Sequence, residues 1–118
     1  MELLIANEYV VLWREGSILF SSFHPAAIID IETAKKMVNT RLSVVEGTSL
    51  LMLADIRNLK SIDDDARDYF ASEEAVSSIR ALAIFTDNRF HKLIAKFFIL
   101  FSKPPVPTKL FTSRELAV

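Results

Sequence analysis

Leu50-Leu51-Met52-Leu53-Ala54-Asp55-Ile56-Arg57-Asn58-Leu59-Lys60-Ser61-Ile62-Asp63-Asp64-Asp65-Ala66-Arg67 is the stretch on which the fold turns. Its apolar opening runs without alternation into an aspartate, the pattern of a strand covered on both faces. A polar loop follows, then three consecutive carboxylates where a new helix begins. Ser61 or Asp63 can cap that helix, and acids in a first turn are favourable with the helix dipole. Strand, loop and helix in this order form half of an α/β unit, and such folds keep their working surfaces at the carboxyl edge of the strands.

Working outward, the same alternation continues. Toward the N-terminus, Asp30 caps an amphipathic helix with Ile31, Ala34, Met37, Val38, Leu42 and Val45 at three- and four-residue spacing. Glu32, Lys35, Lys36 and Arg41 are expected on its solvent side, and Glu46-Gly47 supplies a C′ glycine stop. Before it, residues 9–13 and 17–23 are rich in β-branched and aromatic types and are separated by Glu15-Gly16, which predicts a β-hairpin with residues 3–6 as a further edge strand. His24-Pro25 ends this segment.

Toward the C-terminus, Ser72-Glu73-Glu74 opens a second short helix and residues 80–86 form another buried strand. Asp87-Asn88 caps a longer helix carrying Phe90, Leu93, Ile94, Phe97, Phe98 and Phe101, which Pro104, Pro105 and Pro107 terminate. Residues 108–111 give a last strand and residues 112–115 a final helix start. The expected fold is therefore α/β: a mixed, mainly parallel sheet with an N-terminal antiparallel hairpin and about four helices, in one domain spanning residues 1–118.

Composition excludes several function classes. The 118 residues are 51% hydrophobic and 25% charged, proportions of a chain with a core. A net charge of −1 offers no general attraction to nucleic acid or anionic membrane. No cysteine is present, so thiolate chemistry and disulfides are absent. No apolar run approaches the length that spans a bilayer, and the N-terminus lacks a signal-peptide pattern, so a cytoplasmic location without integral membrane association is expected. Two glycines in the whole chain argue against phosphate-cradling loops, and there is no nucleophile elbow. His24 and His91 have no partner at metal-ligand spacing and read as surface or boundary residues. No catalytic residue, metal or cofactor is expected.

Residues 55–66 resemble the signature of STAS domains, the anti-sigma-factor antagonist family: an Asp-Leu-Ser start, a hydrophobic spacer, then Asp-Ser-Ser-Gly opening a helix. Leu53-Ala54-Asp55-Ile56-Arg57, Ala66-Arg67-Asp68-Tyr69-Phe70 and Lys103-Pro104-Pro105-Val106-Pro107-Thr108-Lys109-Leu110-Phe111 are further similar to small, uncharacterised bacterial STAS-like proteins. The resemblance implies a STAS/SEC14-like, SpoIIAA-like architecture and a regulatory, non-enzymatic role, with another protein, such as a signalling regulator, as partner. Asp64 stands at the position of the family's phosphorylatable serine and Asp65 at the following serine. A carboxylate there carries one permanent charge and cannot be switched by a serine kinase.

These readings select two sets of candidate residues. Asp55, Arg57, Ser61, Asp63, Asp64, Asp65 and Arg67 form a candidate partner-binding edge, against the simpler reading of the three aspartates as cap and first-turn acids. Phe90, Ile94, Phe97, Phe98 and Phe101 form a candidate apolar pocket or homodimer face, against the simpler reading of a well-buried helix. Two alternatives accompany the interaction module: a carrier or sensor of a small apolar ligand, as the SEC14-like architecture suggests, and a receiver-like domain phosphorylated on Asp55.

Overall fold

The computed structural model of the chain describes residues 2–45 and 49–112. Glu46-Gly47 and the helix start expected after residue 112 fall wholly or largely outside the described residues. The expected alternation is present, with β1 Glu2–Ala6, β2 Val10–Glu15, β3 Ile18–Phe23, β4 Ala27–Ile29, α1 Ile31–Val45, β5 Leu50–Asp55, β6 Leu59–Ile62, α2 Asp64–Phe70, α3 Glu73–Val76, β7 Ile79–Phe85, α4 Arg89–Phe97 and β8 Thr108–Phe111. A π-helical turn, Phe98–Ser102, extends α4.

Six strands form one sheet in the order β1-β2-β3-β5-β7-β8. The first three are antiparallel neighbours, and β3, β5, β7 and β8 are parallel. Gly16, at φ +61°, occupies the left-handed region that the tight β2–β3 turn needs. Each parallel step moves one position the same way across the sheet. Right-handed crossovers then deliver every helix to one face.

That face carries the main core. Ala34 and Val38 of α1 are fully buried, as are Ala66 of α2 and Ala95 of α4, all at no more than 1% exposure. Ala34, Ala66 and Ala95 share one core cluster with Ile84, Leu82 and Leu110 of the sheet. On the opposite face no described helix packs. Trp13 stacks on Phe20 with ring centroids 5.3 Å apart, and Phe20, Leu53 and Phe85 are buried there with Ile18 and Ala83. The expectation that β5 is covered on both faces therefore holds only in part: Leu50 and Leu53 are buried, whereas Leu51 is exposed.

Two elements were not anticipated. The segments that run on from β3 and β5 past the carboxyl edge pair with each other as the parallel ribbon β4-β6, Ile29 opposite Ile62. Arg41, expected on the solvent side of α1, is buried at 8% exposure. It lies on the stripe of Ala34, Val38 and Val45, and its aliphatic stem can follow that stripe inward.

Candidate functional site

The carboxyl edge is built by the ribbon. Asp63 N–H donates to the Ile29 carbonyl at 3.1 Å, which fixes where α2 starts. Asp63 is the N-cap, its Oδ1 accepting from Ala66 N–H at 2.8 Å. Ser61, the other capping candidate, lies within β6 instead. Asp64 and Asp65 occupy the exposed first turn of α2.

Asp55 ends β5 and is closed by its neighbour two residues on. Arg57 Nη2 lies 2.8 Å from Asp55 Oδ2 and Arg57 Nε donates to Oδ1 at 3.1 Å, while Arg57 N–H also donates to Oδ1 at 3.0 Å. The guanidinium carbon sits 4.7 Å from the centre of the Phe85 ring. The Asp55 carboxylate raises the Arg57 pKa further. Phosphorylation of Asp55 would require Arg57 to release both oxygens.

Arg67 joins the two candidate sets. Its Nη1 lies 3.3 Å from Asp64 Oδ1 and its Nη2 3.6 Å from Asp68 Oδ1. Its Nε donates to Ser102 Oγ at 3.2 Å, and that hydroxyl donates to Asp68 Oδ1 at 2.5 Å. The start of α2 is thus tied to the π-helical turn, whose widened geometry is closed by Lys103 N–H donating to the Phe98 carbonyl at 3.1 Å. Lys103, at φ +52°, then ends the helix ahead of the prolines.

The aromatic helix divides into two stripes. His91, Ala95 and Phe98 face inward, while Phe90, Leu93, Phe97, Leu100 and Phe101 are 46–65% exposed. The simpler reading of a well-buried helix holds for one stripe. Of the five candidates for an apolar pocket or homodimer face, Phe98 is buried and Ile94 partly buried, whereas Phe90, Phe97 and Phe101 lie on the surface. Phe97 and Phe101 pack on each other at 5.3 Å on the surface. His91 is likewise not a surface residue: it is 6% exposed and contacts the Leu59 carbonyl through Nε2 and Asn88 Nδ2 through Nδ1. Of the two candidate caps, Asn88 caps α4, its Oδ1 accepting from His91 N–H at 2.8 Å.

Two of the candidate apolar residues, Ile94 and Phe98, line a cavity in the interior, and Arg41, which was not among the candidates, lines it with them. This cavity of about 120 Å³ lies between the sheet and the helices, lined mainly by apolar side chains that include Met37, Met52, Ile84, Ile94 and Phe98. Arg67, Asn7, Ser21 and Thr40 line it as well. One Arg41 guanidinium N–H donates to the Ala75 carbonyl in the last turn of α3, and Arg41 Nε has no hydrogen-bond partner among the described residues. Burial pushes the Arg41 pKa down to about 10. Burial and the neighbouring Glu74 push the Tyr69 pKa up. The spacing 34, 38, 41, 45 was the available signal for this position; the residue type concealed it.

Among the described residues no group of three or more His, Asp or Glu side chains is placed to hold a metal ion, and no helix is long and apolar enough to cross a membrane.

Residues 12–118 match the family described as a domain of unknown function, DUF7793. No curated protein matches the sequence. The chain is similar to the crystal structure of an uncharacterized protein from the DUF3478 family, with a SpoIIAA-like fold, from Shewanella loihica PV-4. The TM-score is 0.63 at 17% sequence identity, over 96% of this chain and 94% of that one. At that identity the likeness speaks for the fold, which is SpoIIAA-like.

Proposed function

This chain belongs to the DUF7793 family, and on that premise we propose that it is a non-enzymatic regulatory module that docks onto another protein. The observation that carries the reading is the exposed stripe of Phe90, Leu93, Phe97, Leu100 and Phe101. Scattered apolar residues are normal on a surface, but five large ones along one helix and its π-turn mark a contact face. The Arg67–Ser102–Asp68 hydrogen bonds set the acidic start of α2 beside this stripe. Asp64, Asp65 and Asp68 then provide a charged rim to an apolar centre, the anatomy of a protein interface. The partner's surface is apolar with basic residues opposite α2.

In this reading the edge around Asp55 supports rather than makes the contact. Asp55 and Arg57 neutralise each other, and Asp63 is committed to its cap. Asp64, at the place of the switchable serine in the resembled family, gives constitutive charge, so docking is regulated by partner supply rather than by phosphorylation here.

The test is affinity capture with immobilised protein, comparing wild type with Phe97→Ser/Phe101→Ser and with Asp64→Lys/Asp65→Lys. Both double variants expose only surface positions and should keep wild-type circular dichroism. A specific partner should be retained at least tenfold less by the first variant. Its retention should fall with added salt for wild type but not for the second variant. Equal retention by all three proteins would refute the docking face. Sedimentation that shows a wild-type dimer dissolved by the Phe97/Phe101 changes would reassign the face to self-association.

A further inference from the structure

We propose that the interior cavity is a binding site for a small apolar monocarboxylate, whose charged end is taken by Arg41. The proposal is independent of the docking face, with which the cavity shares none of the exposed aromatic residues. It begins from a mismatch. A guanidinium carries five N–H donors in a planar fork and keeps its charge, so a buried arginine ordinarily sits against carboxylates. Arg41 is 8% exposed, yet among the described residues its recorded partner is the single Ala75 carbonyl. Its Nε is buried with no acceptor. Leaving a buried donor and a buried charge uncompensated is costly, and a fold that tolerates both usually has a use for them.

The void beside that charge defines the rest of the ligand. At about 120 Å³ it approaches the size that accommodates a benzene-sized body, and its lining is apolar from β5 and β7 to α1 and α4. An apolar lining selects a hydrocarbon or aromatic ring. Of the two arginines that line the cavity, Arg67 is already paired with Asp64 and Asp68, so Arg41 is left to balance one negative charge. A carboxylate is then matched where a doubly charged phosphate would keep a buried excess. Adjacent N–H groups of the fork also suit the planar carboxylate. Thr40, one position before Arg41, also lines the cavity and is exposed at the surface. The ligand class is therefore a benzoate-like or short-chain aliphatic acid.

Benzoate, hexanoate and the neutral toluene serve as probes in NMR titrations of the full chain. Benzoate should bind saturably, shifting the methyl signals of Met37, Met52 and Ile94 together with the Arg41 Nε–H signal. Arg41→Met should weaken benzoate at least tenfold and leave toluene within about twofold. Ala54→Leu, which extends a lining residue of β5 into the void, should abolish both. If Arg41→Met does not fold, the wild-type preference for benzoate over toluene and the Nε–H shift decide the matter. Absence of saturable binding, benzoate no tighter than toluene in wild type, or benzoate affinity unchanged in Arg41→Met would each overturn the proposal.

Discussion

The carboxyl edge around Asp55 and the interior around Arg41 hold two charge arrangements that are built in opposite ways. At the edge charges are answered by neighbouring groups or by solvent. Asp55 is held by Arg57, Asp63 by the Ala66 amide, and Asp64 by Arg67, all within reach of solvent. In the interior the Arg41 guanidinium lines a mainly apolar void with, among the described residues, a single carbonyl as recorded partner. The difference teaches that density of charge in a sequence is a poor guide to electrostatic cost. Three adjacent aspartates at a helix start cost the fold little, because solvent and the helix dipole accommodate them. One arginine on the apolar stripe of α1 costs more than all three.

The strongest test of that contrast is a pair of charge reversals. Arg41→Glu would bury an unpaired carboxylate beside the electronegative end of α3 and should destabilise by about 3–5 kcal/mol. Asp64→Lys, at a side chain 86% exposed, should change stability by about 0.5 kcal/mol or less. Urea unfolding followed by circular dichroism measures both. Effects of similar size would mean that Arg41 is solvated in solution and that the two regions do not differ as described.

A finer division is expected within the edge. Asp63→Ala removes the cap of α2 and should cost about 1 kcal/mol, whereas Asp65→Ala should fall within about 0.5 kcal/mol. Asp30 caps α1 in the same way, its Oδ1 accepting from Thr33 N–H at 2.8 Å. That bond, with the Thr33 hydroxyl, lowers the Asp30 pKa below the ordinary 3.8. The sign follows from the lowered value: the folded state favours the ionised carboxylate, so the contribution is fully present above the unfolded pKa. It is lost as pH falls below about 3.8 and through the lowered folded value. The difference in urea midpoint between wild type and Asp30→Ala should therefore be present at pH 7 and shrink below pH 3.8. A difference unchanged at low pH would show that the charge of Asp30 contributes nothing.

Local signals carried most of the fold. The unbroken run into Asp55, the caps at Asp30, Asp63 and Ser72, and the Glu15-Gly16 turn are decided by neighbours in sequence, so residues alone sufficed. The β4-β6 ribbon was not legible because Ala27 and Leu59 meet only after β3 and β5 lie side by side. Arg41 and His91 show a different failure. Each sits on an inward stripe, Ala34-Val38-Arg41-Val45 and His91-Ala95-Phe98, and periodicity alone would have placed both inside. At both positions polarity and spacing point opposite ways, and spacing prevails in the fold. The exposed stripe on α4 is the converse case, since aromatic residues suggested burial while the inward positions were already filled by smaller Ala95 and by His91.

The smallest expected effect separates geometry from energy at the edge itself. Arg57 makes the best-formed ion pair among the described residues, with three side-chain hydrogen bonds to Asp55 and a ring beneath it. Its side chain is nonetheless 46% exposed, and such pairs typically contribute below about 1 kcal/mol because water screens them and ordering the side chains costs entropy. Arg57→Ala should therefore lower stability by about 0.5 kcal/mol, part of it from lost packing on Phe85 rather than from lost charge. A fall of the unfolding midpoint that persists in 1 M salt would identify packing as the larger part, since screening removes only the ionic contribution. The same variant leaves the Asp55 carboxylate open at the end of β5. If a small-molecule phosphodonor with magnesium then modified Asp55, where wild type stayed unmodified, Arg57 would be the group that keeps this edge chemically silent.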